Sequence, residues 1–262
     1  MANTRFQYVR SFELPDPLLP NTHLVLRIDG HAFHKFSDAH GFQKPNDERA
    51  LKLMDHAAQT VMEEYPDIVL GFGESDEFSF LFKKSTKLYN RRQSKIVSML
   101  TSLFTSAYVF NWKTHFPDTE LKYPPSFDGR VVIYPGRQEI RDYFSWRQAD
   151  THINNLYNTT FWALVQGGGM TAREAETRLK GTLSKDKHEI LFSNYGINYN
   201  GLPERVKKGS VLVREDVIPT KSESKQIAKN MPKRALPNIV RVIHVDIIKD
   251  EFWSARPELL DS

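Results

Sequence analysis

A chain of 262 residues, 40% hydrophobic and 26% charged, can bury one large core or two small ones. Its formal charge of +4 and pI near 9.1 permit an anionic partner without demonstrating one, so the clustering of charge says more than the sum. The lack of cysteine excludes disulfides and thiolate metal sites. The start carries no secretory core, and the longest apolar stretch, 96–110, falls short of the ~20 residues a membrane span needs, so a soluble intracellular protein without membrane contact is expected.

In chain order, 1–21 is a polar, Pro-rich lead. His23–Gly30 reads as a strand buried on both faces and ends at an Asp-Gly turn. His31–Lys44 has no clean period and suits a loop or short helix over a site. Pro45-Asn46-Asp47-Glu48 opens a helix whose apolar face is Ala50, Met54, Ala57, Ala58, Val61 and Tyr65, and Pro66 ends it. Val69–Phe82 reads as a hairpin: an apolar arm with two glycines, an acidic connection from Glu74 to Glu77, and a return arm alternating Phe78, Phe80, Phe82. A second helix is predicted over about Tyr89–Asn111, with Ile96, Met99, Leu100, Leu103, Phe104 and Ala107 as its buried stripe.

Lys83, Lys84, Lys87, Arg91, Arg92 and Lys95 crowd that helix's N-terminal end, where positive charge opposes the macrodipole. Such a cluster is either a solvated face or an anion site for triphosphate oxygens or an RNA backbone. After a Pro-rich connector, Arg130–Tyr134 is a short strand. The order so far, strand, helix, strand, strand, helix, strand, predicts an α+β sheet with helices on one face.

A long helix follows over about Gln138–Val165, and Thr171 with Glu174 forms a capping box for the next. Ser184 starts another. Ser210–Arg214 and Ile239–Ile247 are expected to pair as strands, and Pro219–Pro237 between them reads as a Lys-rich loop. Lys207, Lys208, Lys221, Lys225, Lys229 and Lys233 either bind RNA backbone or solvate that region. The division expected is a catalytic unit over 1–136 and a helical and strand unit over 137–262, packed together.

If the two acidic segments share a sheet, Asp29 and Asp76 can lie side by side. Paired carboxylates repel unless hard cations bridge them, and two Mg²⁺ ions held by Asp29, Asp76 and the Gly30 carbonyl would suit attack on phosphorus. The bland alternative is a strand-end turn and a solvated loop. Glu77 would point to the opposite face from Asp76 if the strand runs through it. Amides from Gly30 to His34 could cradle phosphates, and the Ser75 hydroxyl adjoins a metal ligand. His152, Asn155 and Asn158 make a stripe of neutral hydrogen-bonding groups on one helix, which suits either base edges or an internal polar network. A metal role for His152 lacks a second ligand one turn away.

The runs Arg27-Ile-Asp-Gly-His-Ala-Phe-His-Lys-Phe36, Gly73-Glu-Ser-Asp-Glu-Phe78 and His152-Ile-Asn-Asn-Leu-Tyr-Asn158, in that order, resemble the tRNA-His guanylyltransferase family over nearly the whole chain. The resemblance implies a polymerase-palm-like α+β fold and 3′-to-5′ addition of a guanosine to the 5′ end of histidine tRNA, with ATP and GTP as substrates and two Mg²⁺ ions. It implies catalytic Asp29, Asp76 and Glu77; metal ligands Asp29, Gly30 and Asp76; and a nucleotide over Asp29, Gly30, His31, Ala32, Phe33, His34, Lys44, Ser75 and Asp76. It further implies Arg27, Arg92 and Lys95 at the triphosphate and tRNA 5′ end, and His152, Asn155, Asn158, Lys187 and Asn198 at tRNA. A homotetramer, built as a dimer of dimers, is implied too; the cytoplasm is the compartment expected, and the sequence does not decide whether the nucleus is a second one. Two rivals remain: a purine nucleotide cyclase, because the acidic hairpin also resembles GGDEF-type enzymes, and an RNA-binding protein with an inactive palm.

Overall fold

The computed structural model describes residues 4–216 and 238–261. The Pro219–Pro237 segment, with Lys221, Lys225, Lys229 and Lys233, lies outside the described residues.

One six-stranded sheet organises the chain. Its strands are β1 (His23–Gly30), β2 (Ile68–Glu74), β3 (Glu77–Phe82), β4 (Phe127–Tyr134), β5 (Ser210–Asp216) and β6 (Asn238–Ile243), in the order β4-β1-β3-β2-β5-β6. Every neighbouring pair is antiparallel. The expected pairing of the two C-terminal strands holds, and it extends the same sheet, since Gly73 of β2 faces Ser210 of β5.

Period-two patterning decides which side chains meet which helices. Leu24, Leu26, Ile28, Phe78, Phe80 and Phe82 share one face and bury against α2 (Glu48–Glu64) and α3 (Gln93–Phe110). The alternate residues Val25, Leu81, Val211 and Val213 bury on the other face, under Ile140, Tyr143 and Phe144 of α5 (Arg137–Trp162) and the C-terminal Phe252 and Trp253. Because β1 is covered on both sides, its run is almost wholly apolar until Arg27 and Asp29. The helices of the first half occupy one face as predicted, and the second half supplies the layer over the other.

α2 begins where the caps say it should: Asp47 accepts from the Arg49 amide at 3.0 Å, and the helix stops before Pro66. α3 starts at Gln93, four residues later than expected. The delay comes from Tyr89, Asn90 and Arg91, which have φ of 51°, 56° and 58° and so cannot continue a right-handed helix. Arg91 is buried there and donates to the carbonyls of Leu19 and Thr22 at 2.6 and 3.1 Å, tying the lead to the turn. Ile96, Leu100, Phe104 and Ala107 are buried as predicted. Met99 is not, being 42% exposed, and Tyr108 takes a core place instead. β4 starts three residues before the prediction because Phe127, Asp128 and Gly129 pair with Gly30, Asp29 and Ile28. The Asp-Gly pair there hides a strand in the sequence. The long helix ends in a π turn over Ala163–Gly167, and the Thr171–Glu174 capping box is formed.

Gly209 precedes β5 at φ +74°, and a Cβ there would sit 2.6 Å from the Gly73 carbonyl. Gly209→Ala therefore meets both backbone strain and a clash with β2. It is expected to lose about 1–3 kcal/mol in urea unfolding, with the slope unchanged.

Candidate active site

The site lies at the sheet end where β1 and β2 finish and β3 begins. The turn Ser75–Asp76 closes the hairpin, with Ser75 at φ 49°. The Gly30 amide donates to the Asp76 carbonyl at 3.0 Å, which locks the end of β1 onto that turn. Asp29 faces Glu77 across the β1–β3 register. Four acidic residues, Asp29, Glu74, Asp76 and Glu77, thus converge from three strand ends.

Their environments differ. Burial, helped by the charges of Asp29 and Glu77, pushes Asp76 up to about 6. Burial also pushes Glu74 up to about 7, against a hydrogen bond from the Thr151 hydroxyl of α5. Glu77 is raised by burial as well, but the guanidinium of Arg147 reaches it at 3.1 Å and that of Arg27 at 3.7 Å. Arg147 also binds Asp150 at 2.5 Å and lies 3.6 Å over the Trp146 ring. Glu77 is therefore turned toward α5. Among the described residues Asp29, Glu74 and Asp76 pair with no lysine or arginine, whereas Glu77 and Asp150 do.

This donor set fits a hard divalent cation: half-buried carboxylates short of positive charge beside a backbone turn. Among the described residues no three His, Asp or Glu side chains form a metal cage. Any ion here would need backbone, water or substrate oxygens to complete its shell, as the predicted set of Asp29, Asp76 and the Gly30 carbonyl already requires.

Two cavities flank Ser75–Asp76. The larger, about 620 Å³, is lined by Gly30, Ala32–His34, Lys44 and Asp47 on one side and by Tyr157, Asn158, Phe161 and Trp162 of α5 on the other. The smaller, about 270 Å³, holds Asn46, Glu74, Asn154, Asn155, Asn158 and Arg205. α1 (Phe33–Ala39) begins after Ala32, which has φ 54°. The amides of Gly30 and His31 are spent on Asp76 and Ser126, so within Gly30–His34 those of Ala32, Phe33 and His34 are the ones without a backbone acceptor among the described residues. The His31 ring is exposed and lines neither cavity. Lys44 reaches the larger cavity while bonded to Ser37 and Asp38, each at 2.9 Å.

Other predicted residues sit elsewhere. Arg92 and Lys95 belong to the far end of the sheet, level with Thr22 and the start of β1, and eight strand residues at ~3.3 Å each separate them from the acids. Arg92 binds Asp16 at 3.2 Å, and Asp16 also caps the Ser94 amide at 2.6 Å, so the anion at this helix start is the chain's own carboxylate. Lys95 stands 4.9 Å over the Tyr89 ring. On α5, Asn155 is buried and its amide is shared between Asn46 at 2.8 Å and Tyr199 at 3.0 Å, which makes it part of an internal network. His152 stacks edge-on to Tyr199, and burial lowers its pKa. Asn158 is exposed and lines both cavities. Lys187 donates to the Thr182 carbonyl at 2.9 Å, Asn198 caps Asn200 at 3.1 Å, and Lys207 and Lys208 both bind Glu204. Arg147, Thr151 and Glu74 were missed as a group. Only the spacing of Arg147 and Thr151, one helical turn apart on a predicted helix, could have pointed to them.

The family description "tRNAHis guanylyltransferase" matches residues 6–135, and that of its C-terminal domain matches 138–249. The chain belongs to the tRNAHis guanylyltransferase family. Its similarity to curated relatives runs end to end: 54% identity to the tRNA(His) guanylyltransferase of Schizosaccharomyces pombe, covering 99% of this chain and 98% of that one, and 50% to the probable human one, covering 100% and 89%. Among solved structures, the Saccharomyces cerevisiae tRNA(His) guanylyltransferase superposes with a TM-score of 0.77 at 53% identity, over 80% of this chain and 93% of that one. A bacterial guanylyltransferase-like protein in complex with ATP shares the fold at TM-score 0.73 and 21% identity, over 98% and 97%. The palm-like α+β fold expected from the sequence is the family's fold.

Two outcomes follow from the charges. Arg147→Met leaves Glu77 with only the more distant Arg27 guanidinium and should cost about 3 kcal/mol in denaturant unfolding, most of it regained in the Arg147→Met/Glu77→Gln double variant. For Glu74 and Asp76, raised folded-state values mean that the folded protein holds more protons than the unfolded chain between about pH 4 and pH 7. Their contribution to stability therefore falls as pH rises through that window. Melting curves in EDTA should show this decline, and Asp76→Asn should flatten it.

Proposed function

We propose that this chain is a tRNA nucleotidyltransferase that adds one guanosine to the 5′ end of histidine tRNA. The observation that carries the reading is Asp76, a half-buried carboxylate with no cationic partner among the described residues, set on a turn between two cavities, bonded through its carbonyl to Gly30 and raised in pKa in part by the charge of Asp29. The similarity to guanylyltransferases along the full chain supplies the substrate. A cyclase reading gains nothing from the Asn46–Asn155–Tyr199 network or from the second domain of the family.

In the reaction so read, a 5′-phosphate oxygen of the tRNA attacks the α-phosphorus of ATP and pyrophosphate leaves. The 3′-hydroxyl oxygen of GTP then attacks the 5′-phosphorus, the bond to AMP breaks, and AMP departs. Water then attacks the α-phosphorus of the new triphosphate end, the bond to the β-phosphate breaks, and pyrophosphate leaves a 5′-monophosphate. Asp29, Asp76 and the Gly30 carbonyl would hold two Mg²⁺ ions, which when bound supply the positive charge that makes attack on phosphorus feasible. The protein's own part is positional. The first-turn amides Ala32–His34 and Lys44 take phosphate oxygens, and Ser75 places its hydroxyl at the turn. Tyr157, Phe161 and Trp162 offer faces on which a base can stack. Glu77, clamped by Arg27 and Arg147, holds the hairpin against α5 and orients Asp76 beside it. Exposed apolar residues of the lead, with Phe12 76% and Leu14 84% exposed, support assembly into the homotetramer.

The test is a 5′-phosphorylated histidine tRNA incubated with ATP, GTP and Mg²⁺ and scored for a one-nucleotide 5′ extension. Extension is expected with the wild type, and Asp29→Ala or Asp76→Ala should each lower the rate by at least about a hundredfold. Unchanged rates in both variants, or cyclic products from GTP alone, would overturn the reading.

A further inference from the structure

Displacement at phosphorus brings two phosphate-bearing reactants to one acidic turn, and a cavity lies on either side of Ser75–Asp76. The larger offers a nucleotide the amides Ala32–His34 and the Lys44 ammonium. In the smaller, Arg205 is the one lining lysine or arginine among the described residues. It belongs to the short helix Glu204–Lys208, just before β5. Nη1 of Arg205 donates to Asp55 of α2, which is 4% exposed, and to the Ser210 hydroxyl at 3.4 Å. Nε and Nη2 make no hydrogen bond among the described residues, yet neither is sealed off, and the side chain is 16% exposed. Neutralising Asp55 uses one nitrogen of the fork. The others are held in place by that pair and left open, which suits an anion with more than one oxygen to offer.

Arg205 and Asp55 also line a third, open hollow of about 270 Å³, together with Lys52, His56 and His115. The two spaces share Arg205 as a wall, so a strand leaving the acidic turn over it would reach a lysine and two imidazoles. A free nucleotide needs no such exit. A polynucleotide held by its end does, because its backbone must leave the site. We infer that Arg205 binds a phosphate oxygen in the 5′-terminal segment of the tRNA, making it a tRNA-binding residue of the smaller cavity; this rests on the reading of the chain as a tRNA 5′-guanylyltransferase. The bases of that segment meet different chemistry there, the exposed neutral amides of Asn154 and Asn158. The terminal 5′-phosphate and the phosphodiester behind it offer Arg205 the same kind of oxygen, and only the first is lost when the end carries a hydroxyl.

The experiment uses the full chain with Mg²⁺ and two probes, histidine tRNA carrying a 5′-phosphate or a 5′-hydroxyl, with binding followed by fluorescence anisotropy over a series of KCl concentrations. Asp55→Asn is compared with Asp55→Asn/Arg205→Gln, so that loss of the guanidinium strands no buried carboxylate. The double variant is expected to bind the 5′-phosphorylated tRNA about tenfold more weakly than Asp55→Asn, with a salt slope shallower by about one, and to bind GTP equally well. The same loss with the 5′-hydroxyl probe assigns the contact to the phosphodiester, and a loss confined to the 5′-phosphate probe assigns it to the terminal phosphate. Equal affinities and slopes for the two variants, weaker binding at an unchanged slope, or a parallel loss of GTP affinity would each overturn the inference. Extension of the tRNA by the wild type separates that failure from failure of the functional reading. A chain that extends the tRNA while the slopes agree loses this inference alone, and a chain that neither binds nor extends it loses both.

Discussion

The antiparallel pairing of β1 with β3 brings the two acidic segments together, ending with Asp29 opposite Glu77, and the hydrogen bond from the Gly30 amide to the Asp76 carbonyl carries that contact onto the hairpin turn. The end of β1 is held on its other edge by β4, where Asp29 and Gly30 pair with Asp128 and Phe127. Four carboxylates thus crowd one sheet end, a state that costs free energy when all are ionised. The sheet tolerates this because it is anchored behind the acids by apolar strands buried on both faces. Repulsion is concentrated where the core holds the backbone fixed, and that is the condition for a site that waits for positive charge.

The two faces of the sheet treat the acids differently. On the α5 face, Glu77 is met by Arg27 and Arg147, and Glu74 by Thr151, so the charge is answered from within the chain. Asp76 instead opens onto the two cavities, where Lys44 and Arg205 are among the lining side chains but make no ion pair with it. This asymmetry follows from hairpin geometry, since consecutive residues leaving a turn point to opposite sides. It assigns the adjacent acids Asp76 and Glu77 separate tasks. Glu77 is held in ion pairs with Arg27 and Arg147, and Asp76 has no cationic partner among the described residues.

Much of this was legible in the sequence where one physical rule dominated. Apolar β1, the alternating phenylalanines of β3 and the Asp47 and Thr171 caps each obey a local rule, and each element formed as read. The placement of the acids was legible too, because a strand ending in Asp-Gly and a hairpin tipped with acid leave few ways to pair. What the sequence hid depended on distant partners. Nothing local shows that Arg91 turns left-handed to reach the Leu19 and Thr22 carbonyls, or that Asp128-Gly129, turn-like in isolation, is drawn into β4 by pairing with Asp29 and Ile28. Arg147 looked like any helix arginine until the sheet put Glu77 beneath it.

The polar stripe of α5 shows how one helix can serve both structure and site. Asn155 lies on the buried side and spends its amide on Asn46 and Tyr199, which pins the loop before α2 and so fixes a wall shared by both cavities. Asn158, one turn on, is exposed and keeps its amide facing those cavities. A leucine in place of Asn155 would leave the Asn46 amide without its partner and the Tyr199 hydroxyl with the His152 carbonyl alone. Polar composition at this point of α5 therefore holds the loop before α2 in place and lines the cavities beside the acidic turn.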